Sequence, residues 1–75
     1  MKELVEYIAR QLVDDPAAVS VDEFHNGDRV TLRLHVAEGD MGRVIGKQGR
    51  IAQAMRALLK VAASHQHVYA TLEIG

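Results

Sequence analysis

Two glycines separated by two polar residues form the stretch of this chain whose residue types most clearly suggest chemistry. Gly46 and Gly49 flank Lys47 and Gln48, and a segment with helical periodicity follows directly. Because glycine has no Cβ, the backbone can turn sharply here and another molecule can approach it closely. The start of a helix also carries unsatisfied N–H donors and the positive end of the helix dipole, which favour an anion. The pattern therefore predicts a loop that grips phosphate.

Basic side chains are concentrated around this loop, although the formal net charge of the chain is -1. Residues 41–60 hold five basic side chains and no acidic one, whereas the other positions hold four basic and ten acidic ones. A basic segment in an acidic chain indicates a local anion site. A solvated helix face is the alternative and the commoner explanation of charge runs, but the adjacent glycine pair favours a site. The five residues are Arg43, Lys47, Arg50, Arg56 and Lys60.

The length and composition are those of one small folded domain, expected to span residues 1–75. The chain has 75 residues, of which 48% are hydrophobic, which argues against disorder. A core of this size is marginal, so oligomerisation would add stability. The absence of cysteine excludes disulfides and thiolate metal sites, and it fits a cytoplasmic location. No apolar run approaches the length of a membrane span, and the acidic N-terminus is unlike a signal peptide.

Hydrophobic periodicity predicts the element order helix–strand–strand–helix–helix–strand. Apolar residues recur at helical spacing over residues 2–13, and Asp14-Asp15-Pro16 ends this helix because proline disfavours a helical residue before it. Alternation predicts strands over residues 19–24 and 30–36. A hairpin at Asn26-Gly27 joins them, since both residues tolerate positive φ.

The second half of the chain supplies two helices and a last strand. Asp40 is expected to cap a short helix that ends near Ile45. The helix after the glycine loop ends near residues 64–66, and residues 68–74 alternate as a strand. Glu23 interrupts the alternation of the first strand, whose end should bulge or lie exposed. The apolar stripe of the long helix is expected to consist of Ile51, Met55, Leu58, Leu59 and Ala62.

This layout, with the glycine loop between its last two helices, resembles the type II KH domain. The minimal KH motif is a strand, a helix, a Gly-x-x-Gly loop, a helix and a strand, and the type II arrangement places a further helix and strand before it. The resemblance implies an α+β fold of order α-β-β-α-α-β, with three helices packed on one face of a three-stranded mixed sheet. The stretch Met41–Arg50 is also similar to the KhpA family of stand-alone bacterial KH proteins, which contain little beyond this domain.

The resemblance implies RNA binding, by a loop that clamps the backbone of about four single-stranded nucleotides. In this sequence the loop residues would be Gly46, Lys47, Gln48 and Gly49, with N–H groups around Lys47 to Arg50 donating to phosphate. Cationic side chains of Arg43, Arg50 and Arg56 would line the groove. The candidates for its apolar floor are Val44, Ile45 and Ile51, with packing in the core as the alternative for all three. Val44 is assigned mainly to the core, whereas Ile45 fits either place equally well. Many KH motifs carry a large aliphatic residue where this chain has Ala52, so Ile51 supplies the groove wall or the groove is shallower.

Other chemistries find little support in the sequence. Only Tyr69 is placed on a strand face where a base could stack, so stacking on the sheet is not expected, and Tyr7 is assigned to helix packing. No acid or cysteine completes a metal pattern around the four histidines. No serine has an activating neighbour, and the acidic residues are assigned to turns and solvent faces. We therefore expect no enzyme activity, no metal and no cofactor.

The resemblance also implies protein partners. Proteins similar to the KhpA family can self-associate or pair with a larger KH-containing protein of the KhpB, Jag or EloR type, and they are linked to RNA-based regulation, cell elongation and division. The main hypothesis is an RNA chaperone or post-transcriptional regulator that affects cell shape and cell wall biogenesis. The alternative is a dimerisation subunit that uses the apolar edge around the loop and the following helix.

Overall fold

A computed structural model describes residues 1–75 and confirms the α+β class and the predicted element order. The boundaries of the predicted elements fall within two residues of the observed ones. Short 3₁₀ turns occur at Pro16–Ala18, Glu38–Asp40 and Lys47–Gly49. No helix combines the length and the apolar character needed to cross a membrane. The helices are α1 (Lys2–Leu12), α2 (Met41–Ile45) and α3 (Arg50–His65), and the strands are β1 (Ser20–Asn26), β2 (Arg29–His35) and β3 (Tyr69–Ile74).

The sheet has three strands in the order β1-β2-β3, with β1 antiparallel and β3 parallel to β2. The central strand alternates as predicted, because Val30, Leu32 and Leu34 are fully buried while Arg33 is exposed. Parallel neighbours cannot be joined by a tight turn, so a crossover connection must link β2 to β3. Helix α2, the glycine loop and α3 make up that connection, which places the loop at its middle.

The β1–β2 hairpin differs from the prediction by one residue. Asn26 pairs with Arg29 in the ladder, so the turn residues are Gly27 and Asp28 rather than Asn26 and Gly27. Of these residues only Gly27 has a positive φ, of 65°. The ladder of β1 is regular, with Glu23 opposite Leu32, so the end of this strand is exposed without a bulge.

The core lies between the sheet and the helices, and α3 presents a different face to it than the sequence predicted. Leu58 is 50% exposed, so its assignment to the apolar stripe was wrong. The buried face of α3 is instead centred on Met55 and Leu59, with Ala52 and Ala63 at its margins. The core cluster comprises Val5, Ala9, Val13, Val19, Val21, Val30, Leu32, Leu34, Val44, Met55, Leu59 and Leu72.

Asp40 is the one buried polar residue, with 4% of its surface exposed. It occupies the predicted N-cap position of α2, but its side chain makes no capping hydrogen bond there, so the position was predicted correctly and the capping bond was not. Its two carboxylate oxygens instead accept the backbone N–H groups of Asp14 at 3.2 Å and Asp15 at 3.1 Å. These backbone N–H groups follow the end of α1 and need hydrogen-bond acceptors. By accepting them, the Asp40 carboxylate links the end of α1 to the start of α2.

Replacement of Asp40 by alanine is expected to lower the free energy of unfolding by about 2 kcal/mol, because two partly buried N–H groups lose their acceptor. Urea denaturation followed by circular dichroism measures this change. Asp15→Ala is the matched control, since that exposed side chain can be lost for about 0.5 kcal/mol or less. Equal stability of the two variants would contradict the assigned role of Asp40.

Candidate nucleic-acid interface

The loop between α2 and α3 reverses the chain through an unusual run of backbone angles. Gly46 has φ 77° and ψ 172°, a region that is open essentially to glycine alone. Gln48 and Gly49 follow in the left-handed region, with φ of 58° and 74°. Three of the four loop residues thus have positive φ, so the loop depends on the backbone freedom that its glycines provide.

The two glycines face different surroundings. A Cβ placed on Gly46 would lie 2.6 Å from Cγ1 of Ile51 and 2.9 Å from the backbone nitrogen of Ile51. No atom lies within 4 Å of a Cβ placed on Gly49. The close approach at Gly46 is therefore made by the protein's own Ile51, whereas the backbone at Gly49 is open to another molecule.

Hydrogen bonds inside the turn engage some of the donors expected to meet phosphate. The N–H of Gly49 donates to the carbonyl of Gly46 at 3.1 Å, and the N–H of Arg50 donates to the carbonyl of Lys47. The side chains of Lys47, Gln48 and Arg50 are exposed, and Nη2 of Arg50 donates to Oε1 of Gln48 at 3.3 Å. The exposed side chains are therefore the more accessible partners for an anion.

Arg43 lies apart from the other basic residues of this segment. Its guanidinium contacts the carboxylate of Asp14 at 3.0 Å and that of Asp40 at 3.5 Å. Since Asp40 precedes Arg43 by three residues, the side chain points back along α2, away from the glycine loop. The structure thus ties Arg43 to the end of α1 and does not bring it together with Lys47 and Arg50.

A groove of about 670 Å³ runs between α3 and the edge strand β3. Leu59, Ala63 and Leu72 contribute apolar lining, while Arg56 and Lys60 add positive charge. The Nη2 atom of Arg56 also donates to the carbonyl of Leu72 at 3.3 Å, which links the helix to the strand. The other lining residues are Asp28, Ser64, His67, Val68, Tyr69, Ala70 and Thr71.

The predicted site residues divide between the loop and this groove. Arg56 lines the groove, but Ile45 and Ile51 do not contribute to its floor. Ile45 is 36% exposed beside the loop, and Ile51 is half-buried against the core. Val44 is fully buried, in accordance with its assignment to the core. The sequence analysis counted Lys60 in the basic segment but did not assign it to the groove, although its spacing of four from Arg56 could have placed both on one helix face.

Loop and groove are connected along one face of α3. Gly49, Gln53, Arg56 and Lys60 recur at spacings of four, three and four residues, which places them on a single helical face. The side chains of the last three are exposed. At a rise of about 1.5 Å per residue, this face covers roughly 16 Å from Gly49 to Lys60. A chain molecule held at the loop can therefore follow a basic track into the groove.

Two residues near these elements have surroundings that the sequence did not indicate. Tyr7 is 65% exposed on α1, so its assignment to helix packing was wrong. His67 lines the groove and has a φ of 57°, and nothing in its local sequence marks it as a groove residue. No cluster of histidine, cysteine, aspartate or glutamate side chains suited to a metal ion is present.

Comparison with known proteins identifies relatives along nearly the whole chain. A family model described as KhpA/KhpB, KH domain matches residues 2–74. The RNA-binding protein KhpA of Caldanaerobacter subterraneus subsp. tengcongensis is 53% identical over 74 residues, 99% of each chain. The protein of the same name from Clostridium perfringens is 50% identical over 74 residues, again 99% of each chain. That of Treponema pallidum is 47% identical over 97% of this chain and 91% of its own. No solved structure gives a significant match.

The different surroundings of the two glycines predict unequal effects of substitution. Gly46→Ala should lower the free energy of unfolding by about 2–4 kcal/mol, since the new Cβ meets Ile51 in a backbone region closed to alanine. Gly49→Ala should lower the free energy of unfolding by about 1 kcal/mol, because alanine disfavours the left-handed backbone conformation of this residue but meets no neighbouring atom. Urea denaturation of both variants measures the difference, and equal losses would contradict the contact with Ile51.

Proposed function

Because the chain belongs to the KH-domain family of KhpA and KhpB, we propose that it binds RNA and grips a single strand through the Gly46–Gly49 loop and the adjoining groove. Relatives that share about half of their residues with this chain are named RNA-binding proteins. The proposed activity is binding rather than catalysis. The loop holds the sugar–phosphate backbone and the groove accommodates the bases.

The continuous face of α3 is the observation that carries this proposal. Phosphate groups attract exposed cations: Lys47 and Arg50 are exposed at the loop where this face begins, and Arg56 and Lys60 are exposed on the face itself. The groove combines the charges of Arg56 and Lys60 with apolar lining from Leu59 and Leu72. Unpaired bases need such a combination, since their faces and edges are both accessible. In a duplex the base faces are stacked away, so the proposal favours single-stranded RNA.

The proposal gives the predicted site residues different roles. Lys47 contributes a positive charge, and Gln48 donates hydrogen bonds to phosphate or ribose. The open space at Gly49 lets the RNA backbone approach the protein main chain. Arg50, Arg56 and the exposed part of Ile45 border the path of the strand. Gly46 and Ile51 give the loop its shape, and Arg43 holds α2 in place through its two carboxylate partners.

A wider biological role is part of the same proposal. A small RNA-binding protein that grips mainly the RNA backbone, with modest sequence preference, suits an RNA chaperone or post-transcriptional regulator in the cytoplasm. Resemblance to the KhpA family adds a role in cell elongation and division, carried out together with a larger KH-containing partner. A single grip on a few nucleotides is weak, and a second module raises the overall affinity through effective concentration.

The double substitution Lys47→Asp/Gln48→Asp is expected to abolish RNA binding and leave the fold intact, because aspartate tolerates the left-handed backbone at residue 48. Electrophoretic mobility shift of a labelled single-stranded RNA measures binding, and circular dichroism checks the fold. For the parent chain, the logarithm of affinity should fall with the logarithm of salt, with a slope of about -0.7 per phosphate contact.

Lys2→Asp/Gln11→Asp is the matched control, since it changes the charge by the same amount at exposed positions of α1. This variant should retain most of the RNA affinity. Unchanged binding by the loop variant, or an equal loss in both variants, would refute the loop as the site of contact.

The second candidate function, a dimerisation subunit, is favoured by an apolar stripe on another face of α3. Leu58 is 50% exposed and Val61 is 59% exposed, and Ala54 lies four residues before Leu58 on the same side. This stripe is turned by more than a quarter of the helix circumference from the face with Arg56 and Lys60. A second copy, or a larger KH protein, that covers the stripe therefore leaves the groove accessible to RNA.

Sedimentation tests the stripe as a contact between copies. The parent chain is expected to sediment as a dimer at micromolar concentrations, and Leu58→Glu/Val61→Glu should sediment as a monomer because two charges then face the apolar contact. Tyr7→Glu/Gln11→Glu introduces the same charges on the exposed face of α1 and should leave the dimer unaffected. A parent chain that stays monomeric at all these concentrations would refute self-association.

A further inference from the structure

The backbone shares an uncommon feature at the two ends of α3. Gln48 and His67 are the only residues other than glycine with a positive φ, at 58° and 57°. Such conformations cost free energy and tend to cluster at functional sites. Gln48 belongs to the loop that starts the proposed RNA path. His67 lines the groove just before β3, so it marks the opposite end of that path.

Two further residues line the groove near this end. Asp28 belongs to the β1–β2 turn, and its carbonyl accepts the backbone N–H of Tyr69 at 2.8 Å. That hydrogen bond fixes the turn against the first residue of β3. Tyr69 is 69% exposed, so much of its side chain is accessible. Asp28, His67 and Tyr69 are therefore grouped where the groove meets the hairpin, and we call them the hairpin end of the groove.

Asp28 is the only acidic residue that lines the groove, and the other charged lining residues are Arg56 and Lys60. Its side chain is exposed and takes part in none of the ion pairs of the structure. An ionised carboxylate only accepts hydrogen bonds and repels phosphate. The groups of an RNA strand that it can meet favourably are therefore donors, namely the ribose 2′-hydroxyl and the N–H groups of the bases, and of these only the base groups distinguish one nucleotide from another.

We propose that the hairpin end of the groove selects guanine, with the Asp28 carboxylate accepting hydrogen bonds from the base. This inference rests on the proposed RNA binding and adds a base preference to it. Guanine presents N1–H and the N2 amino group side by side on its Watson–Crick edge, which matches two carboxylate oxygens. Uracil presents a single N3–H between two carbonyl oxygens that repel the carboxylate. Adenine and cytosine each offer one amino group next to an acceptor nitrogen.

His67 completes the subsite. The neighbouring Tyr69 pairs with Arg29 in the ladder and alternates with the buried Leu72, so its side chain lies on the face of the sheet turned away from α3 and is given no part in base recognition. The ring nitrogens of His67 can donate to the carbonyl oxygen O6 of guanine or accept from its amino group. The preference between bases is thus assigned to Asp28.

Fluorescence anisotropy with three labelled octamers tests this proposal on the full chain. The first octamer is all uridine, the second has one central guanosine, and the third has inosine, which lacks the N2 amino group, at that position. The parent chain should bind the guanosine octamer about tenfold more tightly than octauridylate, as a bidentate contact discriminates. The inosine octamer should fall between the two.

Asp28→Asn should reduce the guanosine-to-uridine affinity ratio to about twofold or less, because an amide offers one acceptor and adds a donor. Its affinity for octauridylate should stay equal or rise, since repulsion of phosphate is removed. Glu38→Gln changes the charge equally at an exposed position outside the groove lining, and it should retain the parent ratio. Circular dichroism checks that both variants are folded.

The possible outcomes separate this subsite from the proposed function. Binding of all three octamers with equal affinity by the parent chain overturns the guanine preference and leaves RNA binding in place. A preference that persists in Asp28→Asn overturns the role of the carboxylate. Failure of the parent chain to bind any octamer overturns the proposed function, and the subsite with it. The inosine comparison uses the parent chain alone, so it holds even if a variant is unstable.

Discussion

The parallel pairing of β2 with β3 is the constraint on which the rest of the structure depends. Strands that run in the same direction require the chain to cross from one end of the sheet to the other. In this molecule that crossing consists of α2, the glycine loop and α3. The same crossing packs α3 over the sheet and leaves a groove between α3 and the edge strand β3. The proposed binding surface therefore follows from the connectivity of the fold.

Local patterns were sufficient to predict the elements but not the partners of several side chains. The alternation in β2 and the helical spacing in α1 and α3 depend on near neighbours along the chain, and those elements were predicted correctly. The Asp40 carboxylate accepts a hydrogen bond from the backbone of Asp14, which lies 26 residues away in sequence. The position of Asp40 directly before a helix suggested a capping hydrogen bond instead, which is the commoner role there. Arg43 was assigned to the groove because the sequence shows its positive charge but not its ion-pair partners, Asp14 and Asp40.

The candidate site was predictable only as far as it is continuous in sequence. The glycine loop and the start of α3 form one segment, so their residue types could be interpreted together. The hairpin end of the groove combines Asp28 with residues that follow α3, and only the β2–β3 pairing brings them together. The proposed base preference therefore arises from tertiary structure, whereas the proposed phosphate contact arises from a local motif.

The contact between Gly46 and Ile51 has a consequence for the thermodynamics of binding. Three positive φ angles and a packed isoleucine hold the loop in one conformation, so the protein is preorganised where it meets the RNA backbone. A preorganised surface loses little conformational entropy when a ligand binds. The entropic cost of the proposed complex then falls mainly on the flexible RNA strand, and an RNA whose target nucleotides are already held extended, as in a structured loop, gains affinity without any additional contact.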